Sequence, residues 1–231
     1  MPPEQGRHIF GEKMKNITHF LFDFDGTLID SMPTFSSCVL TVLDKFGVKY
    51  PSDIIKTCTP LGAKDTPKYC IETFGMNTTE EEFRSLMFEV AVPDYENTIP
   101  AKPTVVETMK ELKARGYCLN ILTGSPHETL DPCFARLGFG ELFDKAWSVN
   151  DFPYNKTEPE IYLEAARLLG VEPEAIVFLD DNIEANRAAK RAGLTVIGVY
   201  DESGDAFVED MKCELDGYVY EMRDVLGFNF D

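Results

Sequence analysis

Four stretches of this chain carry side chains suited to chemistry on an oxygen-rich ligand. In the first, the apolar run Phe20-Leu21-Phe22 ends abruptly in Asp23 and Asp25, followed by Gly26 and Thr27. Side chains alternate along an extended chain, so carboxylates two apart leave on the same side. Two like charges aimed at one small space repel, and a bound cation or a shared proton relieves that. The second stretch is Thr123-Gly124-Ser125, the third surrounds Lys156, and the fourth is Asp180-Asp181. Four carboxylates, a hydroxyl and an ammonium suit phosphoryl transfer with Mg²⁺. This cation prefers hard oxygen ligands, with one or two carboxylates completed by water and phosphate. A carboxylate can attack phosphorus. A second carboxylic acid can protonate the leaving oxygen and later deprotonate water. Lysine and hydroxyl groups can neutralise the transferring oxygens.

These groups need elements that converge. Phe20–Phe22, Cys118–Leu122, Ala175–Leu179 and Thr195–Val199 are short apolar runs, as strands buried on both faces would be. A shorter strand is expected over Ala146–Val149. Helical spacing joins Phe35, Cys38, Val39, Val42, Leu43 and Phe46, with Ser31 as cap, Pro33 in the first turn and Gly47 as stop. Tyr50 to Gly62 reads as a looser segment and Asp65–Phe74 as a helix. Thr79 and Glu82 form a capping box for the next helix. Further helices follow Pro103, follow Pro126 as far as Leu137, cover Glu158–Leu169, and lead to Ala192. The tail is expected to hold a helix near Asp205–Leu215, a short strand near Tyr218 and a last turn. Strand alternating with helix predicts an α/β fold with a doubly wound parallel sheet. In such sheets ligands gather beyond the carboxyl ends of the strands. A parallel crossover needs about a dozen residues, and the helical stretch after Asp30 is far longer. The surplus predicts an inserted helical cap domain over 31–97, with the core in 17–30 and 98–231 and a loosely ordered extension over 1–16.

The chain has 231 residues and a net charge of −18, which argues against a nucleic-acid groove and anionic membrane surfaces. A phosphate site must therefore be locally positive. Six scattered cysteines without a Cys-x-x-Cys pair point to a reducing cytoplasm, not to disulfides or zinc. No apolar run approaches the roughly 18 residues of a membrane span, and the first sixteen residues lack a signal peptide's apolar core. A soluble monomer acting on a small phosphorylated metabolite is the expectation.

The motifs and their order resemble the haloacid dehalogenase-like (HAD) hydrolase superfamily, in its phosphatase and phosphomutase branch with a small helical cap and Rossmann-type core. Asp23–Thr27 matches Asp-x-Asp-Gly-Thr, and Thr123 the strand-ending Thr or Ser. Lys156 with Pro159 and Tyr162 is similar to the Lys-Pro-x-Pro-x-x-Tyr/Phe run, Thr157 standing for its first proline. Asp180-Asp181 is the fourth motif. The resemblance implies that Asp23 is a phosphorylated nucleophile. Asp25 would be general acid/base, with its backbone carbonyl on Mg²⁺. Thr123 and the Gly124 N–H would bind phosphate, and Lys156 would pair with Asp23 and phosphate. Asp181 would be a direct metal ligand beside Asp23, with Asp180 a ligand or its neighbour. Gly26, Thr27, Ser125 and, from the insert, Lys64 are further candidates for phosphate or substrate binding. His127 divides between substrate contact and a surface residue of a first helical turn.

The resulting expectation is a Mg²⁺-dependent phosphatase for a phosphoglycolate-like or sugar-phosphate-like monoester, working through an aspartyl phosphate. The intact Asp25 sets dehalogenation aside. A sugar phosphomutase is the alternative, weakened because the insert holds no histidine. A non-catalytic phospho-ligand binder is the second alternative, and no motif carboxylate is lost to favour it.

Overall fold

The computed structural model describes residues 16–230. Residues 1–15 of the expected extension, and Asp231, lie outside the described residues. Six strands form one parallel sheet in the order β3-β2-β1-β4-β5-β6. They are β1 (His19–Phe22), β2 (Cys118–Thr123), β3 (Lys145–Ser148), β4 (Ile176–Asp180), β5 (Thr195–Val199) and β6 (Gly217–Val219). This is the doubly wound order, and β1 lies at its switch point between β2 and β4. The helices are α1 (Met32–Lys45), α2 (Ile54–Phe74), α3 (Glu80–Asn97), α4 (Val105–Ala114), α5 (His127–Arg136), α6 (Pro159–Leu169), α7 (Ile183–Arg191) and α8 (Val208–Glu214).

The pleat sorts the central strand between two cores. Phe20 and Phe22 join one hydrophobic cluster with Met109 and Leu112 of α4 and Leu130 of α5. Leu21 joins the other with Ile161 and Tyr162 of α6 and Ala185 and Ala188 of α7. Both faces of β1 and the helix residues packed on them are buried, as continuous apolar strands require. Helices α1–α3 form the insert. Cys38, Val39 and Val42 of α1 and Phe83 and Met87 of α3 belong to the same cluster as Phe20 and Phe22. Hydrophobic contact thus runs continuously from sheet to insert. Arg136 of α5 fixes the return segment, donating to the Tyr95 carbonyl at 3.2 Å and the Ile99 carbonyl at 2.5 Å.

Several local expectations need correction. The segment 54–62 is helical: α2 starts at Ile54, because Ile54 and Cys58 are buried against the insert's core. Its break is confined to Gly62, at φ 65° and ψ −176°, and Pro60 and Pro67 lie within it. Ser31 precedes α1 without a side-chain capping bond. The Thr79 hydroxyl does accept from the Glu82 N–H at 3.1 Å, but the Glu82 carboxylate takes the Thr78 hydroxyl instead of closing the box. Strand β3 begins at Lys145, and Val149 already opens a 3-10 turn. In the tail, a 3-10 turn over Glu202–Phe207 precedes α8.

Candidate active site

The strand ends bring the sequence-distant groups together. The Asp23 N–H donates to the Leu179 carbonyl at 2.8 Å, continuing the pairing of β1 with β4 beyond Phe22. Asp23 therefore leaves the sheet beside Asp180, the last residue of β4. Lys156 reaches both, its Nζ 2.5 Å from Asp23 Oδ1 and 2.5 Å from Asp180 Oδ2. Its loop is held from beneath: the Tyr162 hydroxyl lies 2.7 Å from the Lys156 carbonyl and 3.1 Å from that of Ala185. The turn closes without the missing proline, since the Asn155 N–H donates to the Glu158 carboxylate at 2.7 Å and the Glu158 N–H to the Asn155 carbonyl at 2.9 Å.

Asp23, Asp180 and Asp181 each offer an oxygen within 4.8 Å of the others, and all three are buried. Burial pushes the Asp23 carboxyl up; Lys156 opposes this, but the neighbouring Asp180, Asp181 and Asp25 add to it, and the net is well above the usual range. Burial, then Asp180 and Asp201, push Asp181 up to about 7. Desolvation lowers Lys156, yet Asp180 and Asp23 outweigh it and hold the ammonium charged. A buried group of carboxylates with one lysine is short of positive charge. Its hard oxygen donors fit a divalent cation such as Mg²⁺.

Gly26 and Thr27, expected at phosphate, lie outside the cavity lining, and their polar groups are bonded elsewhere in this structure. The Gly26 N–H is taken by the Ile29 carbonyl at 3.0 Å. The Thr27 hydroxyl donates to Asp181 Oδ1 at 2.9 Å and accepts from the Asp181 N–H at 3.1 Å. Both residues instead shape the seat of Asp181. Gly26 has φ +75°, and a Cβ there would lie 2.6 Å from an Asp181 carboxylate oxygen. Lys102, which no motif announces, bonds the Gly26 carbonyl, the Tyr200 carbonyl at 3.1 Å and Asp201 Oδ2 at 2.7 Å. Asn182, rather than either preceding aspartate, caps α7, accepting from the Glu184 N–H at 2.9 Å.

Asp25 turns away from this cluster and is outside the group of carboxylates that could share an ion. Its Oδ2 accepts from the Ser125 hydroxyl at 2.6 Å and the Thr123 hydroxyl at 3.2 Å. Its Oδ1 accepts from Tyr95, which the insert delivers from the end of α3. Tyr95 was missed because a tyrosine near a helix end carries no signal until the helix is packed. Ser125 thus orients a carboxylate, and its N–H donates to the Thr123 hydroxyl at 3.0 Å.

These groups border one cavity of about 200 Å³, with Asp23, Asp25, Thr123, Gly124, Lys156, Asp180 and Asp181 on its core side. Lys64 lines it from the insert, just beyond the Gly62 break. His127 is not in the lining; it sits between Asp131 at 2.9 Å and Asp151 at 3.1 Å on the surface. The bond to Asp131 outweighs desolvation and raises its pKa.

The sequence pattern of the haloacid dehalogenase-like hydrolases matches residues 20–199. The chain belongs to that family. It is 31% identical to pyrophosphatase PpaX of Bacillus velezensis over 80% of this chain and 84% of that protein. It is 29% identical to a phosphoglycolate phosphatase of Haemophilus influenzae over 77% of this chain and 83% of that one. The fold is shared with the crystal structure of CbbY from Rhodobacter sphaeroides in complex with xylulose 1,5-bisphosphate. There the TM-score is 0.76 and the identity 22%, over 90% of this chain and 96% of that one. The expected HAD-like hydrolase of phosphoric monoesters agrees with the family and with these phosphatase names. No described helix is long and apolar enough to cross a membrane.

Proposed function

We propose that this HAD-like hydrolase is a Mg²⁺-dependent phosphatase of a small phosphomonoester, working through a phosphorylated Asp23. The observation that carries the reading is Lys156 bridging Asp23 and Asp180 at one wall of the cavity, while Asp25 is held separately by three hydroxyls. Asp23 Oδ attacks phosphorus, forming the acyl phosphate as the ester P–O bond breaks. Asp25 gives its proton to the leaving oxygen, then takes one from the water that attacks phosphorus and frees Asp23. Lys156 neutralises charge on Asp23 and on the phosphoryl oxygens, and Thr123 with the Gly124 N–H completes the phosphate seat. Asp23, Asp180, Asp181 and the Asp25 carbonyl are the groups that would hold Mg²⁺, which when bound offsets the negative charge of phosphate and carboxylates. Residues 31–97 are read as a cap over the core of 17–30 and 98–231, closing to exclude bulk water. The free cysteines among the described residues support a reducing, cytoplasmic setting, and the enzyme is read as a monomer. The phosphatase names of the relatives support the same reaction here.

Hydrolysis of p-nitrophenyl phosphate, with Mg²⁺ and after chelation, tests the reading. Turnover that is lost with chelator and restored by Mg²⁺ is expected, and none in Asp23→Asn. Undiminished turnover in the chelated enzyme would rule out the metal. Glucose 1-phosphate yielding free phosphate, not glucose 6-phosphate, separates phosphatase from mutase.

A further inference from the structure

Beyond the phosphoryl seat, the cavity is built from hydrocarbon. Met32 and Phe35 enter from α1, Leu61 from the α2 break, Val149 from the end of β3, Ile183 from the start of α7 and Phe207 from the turn before α8. Six apolar side chains from five different segments converge on one space. That is more than a chance exposed residue would give, because each segment also packs into its own neighbours.

Several polar groups in the same lining are committed elsewhere, while Ser31, whose buried Oγ has no hydrogen-bond partner, and the side chains of Asn155 and Thr157 are the exceptions. The Thr59 hydroxyl donates to the Ile55 carbonyl at 2.9 Å. Tyr95 is spent on Asp25. The Asn182 carbonyl serves the α7 cap, and its amide donates to the Pro60 carbonyl at 3.3 Å. A polyol placed here would surrender the hydration of several hydroxyls for few matched partners beyond Ser31, Asn155 and Thr157. Charge is equally restricted. Apart from Lys156, the lining holds one cation, Lys64, and Asp65 stands next to it in the same lining. Among the described residues, no arginine or histidine lines the cavity. A carboxylate or a second phosphate on the substrate would meet little compensation, in a chain of net charge −18.

We infer that the substrate is a phosphomonoester whose leaving group is uncharged and mainly hydrocarbon, seated against Met32, Phe35, Leu61 and Phe207. This rests on the phosphatase reading above and narrows it away from phosphoglycolate, sugar phosphates and bisphosphates. Apolar surface leaving water strengthens binding of the leaving group by the transfer free energy of each methylene.

The experiment is a kcat/KM series on the wild-type chain with Mg²⁺, using ethyl, propyl and butyl phosphate, phosphoglycolate, glucose 6-phosphate and p-nitrophenyl phosphate. Each methylene is expected to raise kcat/KM about fourfold, and butyl phosphate to exceed phosphoglycolate by roughly tenfold or more. Leu61→Lys should shift the phosphoglycolate-to-butyl ratio toward the acid by about tenfold. A flat alkyl series, or phosphoglycolate or glucose 6-phosphate above butyl phosphate, overturns the inference and leaves the phosphatase reading standing. No turnover of any ester, p-nitrophenyl phosphate included, sinks both.

Discussion

Replacing Gly26 by alanine tests whether the nucleophile loop and Asp181 are fitted to each other. Gly26 sits at φ +75°, and a Cβ there would lie 2.6–2.9 Å from the three carboxylate atoms of Asp181. The nearest oxygen would have to retreat from 2.6 Å to at least 3.0 Å. It cannot do so freely, because Thr27 holds the carboxylate at 2.9 Å and the Asp181 N–H at 3.1 Å. Mg²⁺ demands near-octahedral ligands at roughly 2.0–2.1 Å, so a displaced Asp181 is a poorer ligand. Loss of a group that orients a metal ligand typically weakens the metal about 10- to 100-fold. The backbone adds its own cost, about 1–2 kcal/mol for a non-glycine residue in the left-handed region. Gly170→Ala separates the two effects: it has φ +73° but nothing within 4 Å of the added Cβ. Magnesium titration of p-nitrophenyl phosphate turnover, with urea denaturation alongside, reads both. Both variants should lose about 1–2 kcal/mol of stability, and Gly26→Ala alone should need about 10- to 100-fold more Mg²⁺. A Gly26→Ala enzyme with wild-type magnesium half-saturation would refute the fit.

Tyr95→Phe keeps the packed ring and removes one hydroxyl from Asp25. Losing that one hydrogen bond corresponds to about a tenfold loss in kcat, with KM little changed. The loss should be larger for butyl phosphate than for p-nitrophenyl phosphate, whose phenolate leaves without a proton. Equal losses on the two esters would mean that Tyr95 does not act through the proton donor. Lys102→Met leaves Asp201 buried without its ammonium partner. Burial pushes Asp201 up, but Lys102 and Ser203 outweigh it, and its folded pKa lies below the ordinary 3.8. A carboxyl with a depressed folded pKa adds stability above its unfolded pKa and loses it as pH falls through the folded one. The variant should therefore be about 3 kcal/mol less stable at neutral pH, with the gap closing below the unfolded pKa of roughly 3.9. Urea denaturation at neutral and acid pH checks this, and a gap that widens on acidification would contradict it.

The groups that sit at strand ends were legible because sequence pattern fixes a strand and its last residue together. Apolar β1 running into Asp23, and β4 running into Asp180, placed both carboxylates before any helix was packed. Lys156 was legible through Tyr162, whose hydroxyl does hold the lysine's carbonyl. Thr27 and Gly26 were assigned to phosphate because they adjoin the nucleophile. In the structure Thr27 bonds Asp181, 154 residues away, and spacing along the chain says nothing of that bond. Tyr95 and Lys102 were invisible for a related reason. Each depends on how the insert and the 100–102 segment come back across the strand ends, which tertiary packing decides. In α2, the part up to Gly62, with Pro60, read as a looser segment, while Asp65–Phe74, with Pro67, read as helix. Burial of Ile54, Cys58 and Cys70 nevertheless keeps it helical on both sides of Gly62.

The most direct test of the account is to quench the enzyme with acid during turnover of p-nitrophenyl phosphate and map the adduct by mass spectrometry. One phosphoryl group on the peptide containing Asp23, absent in Asp23→Asn, is the predicted result. Turnover with Asp23 unmodified, or a label that persists in Asp23→Asn, would contradict it.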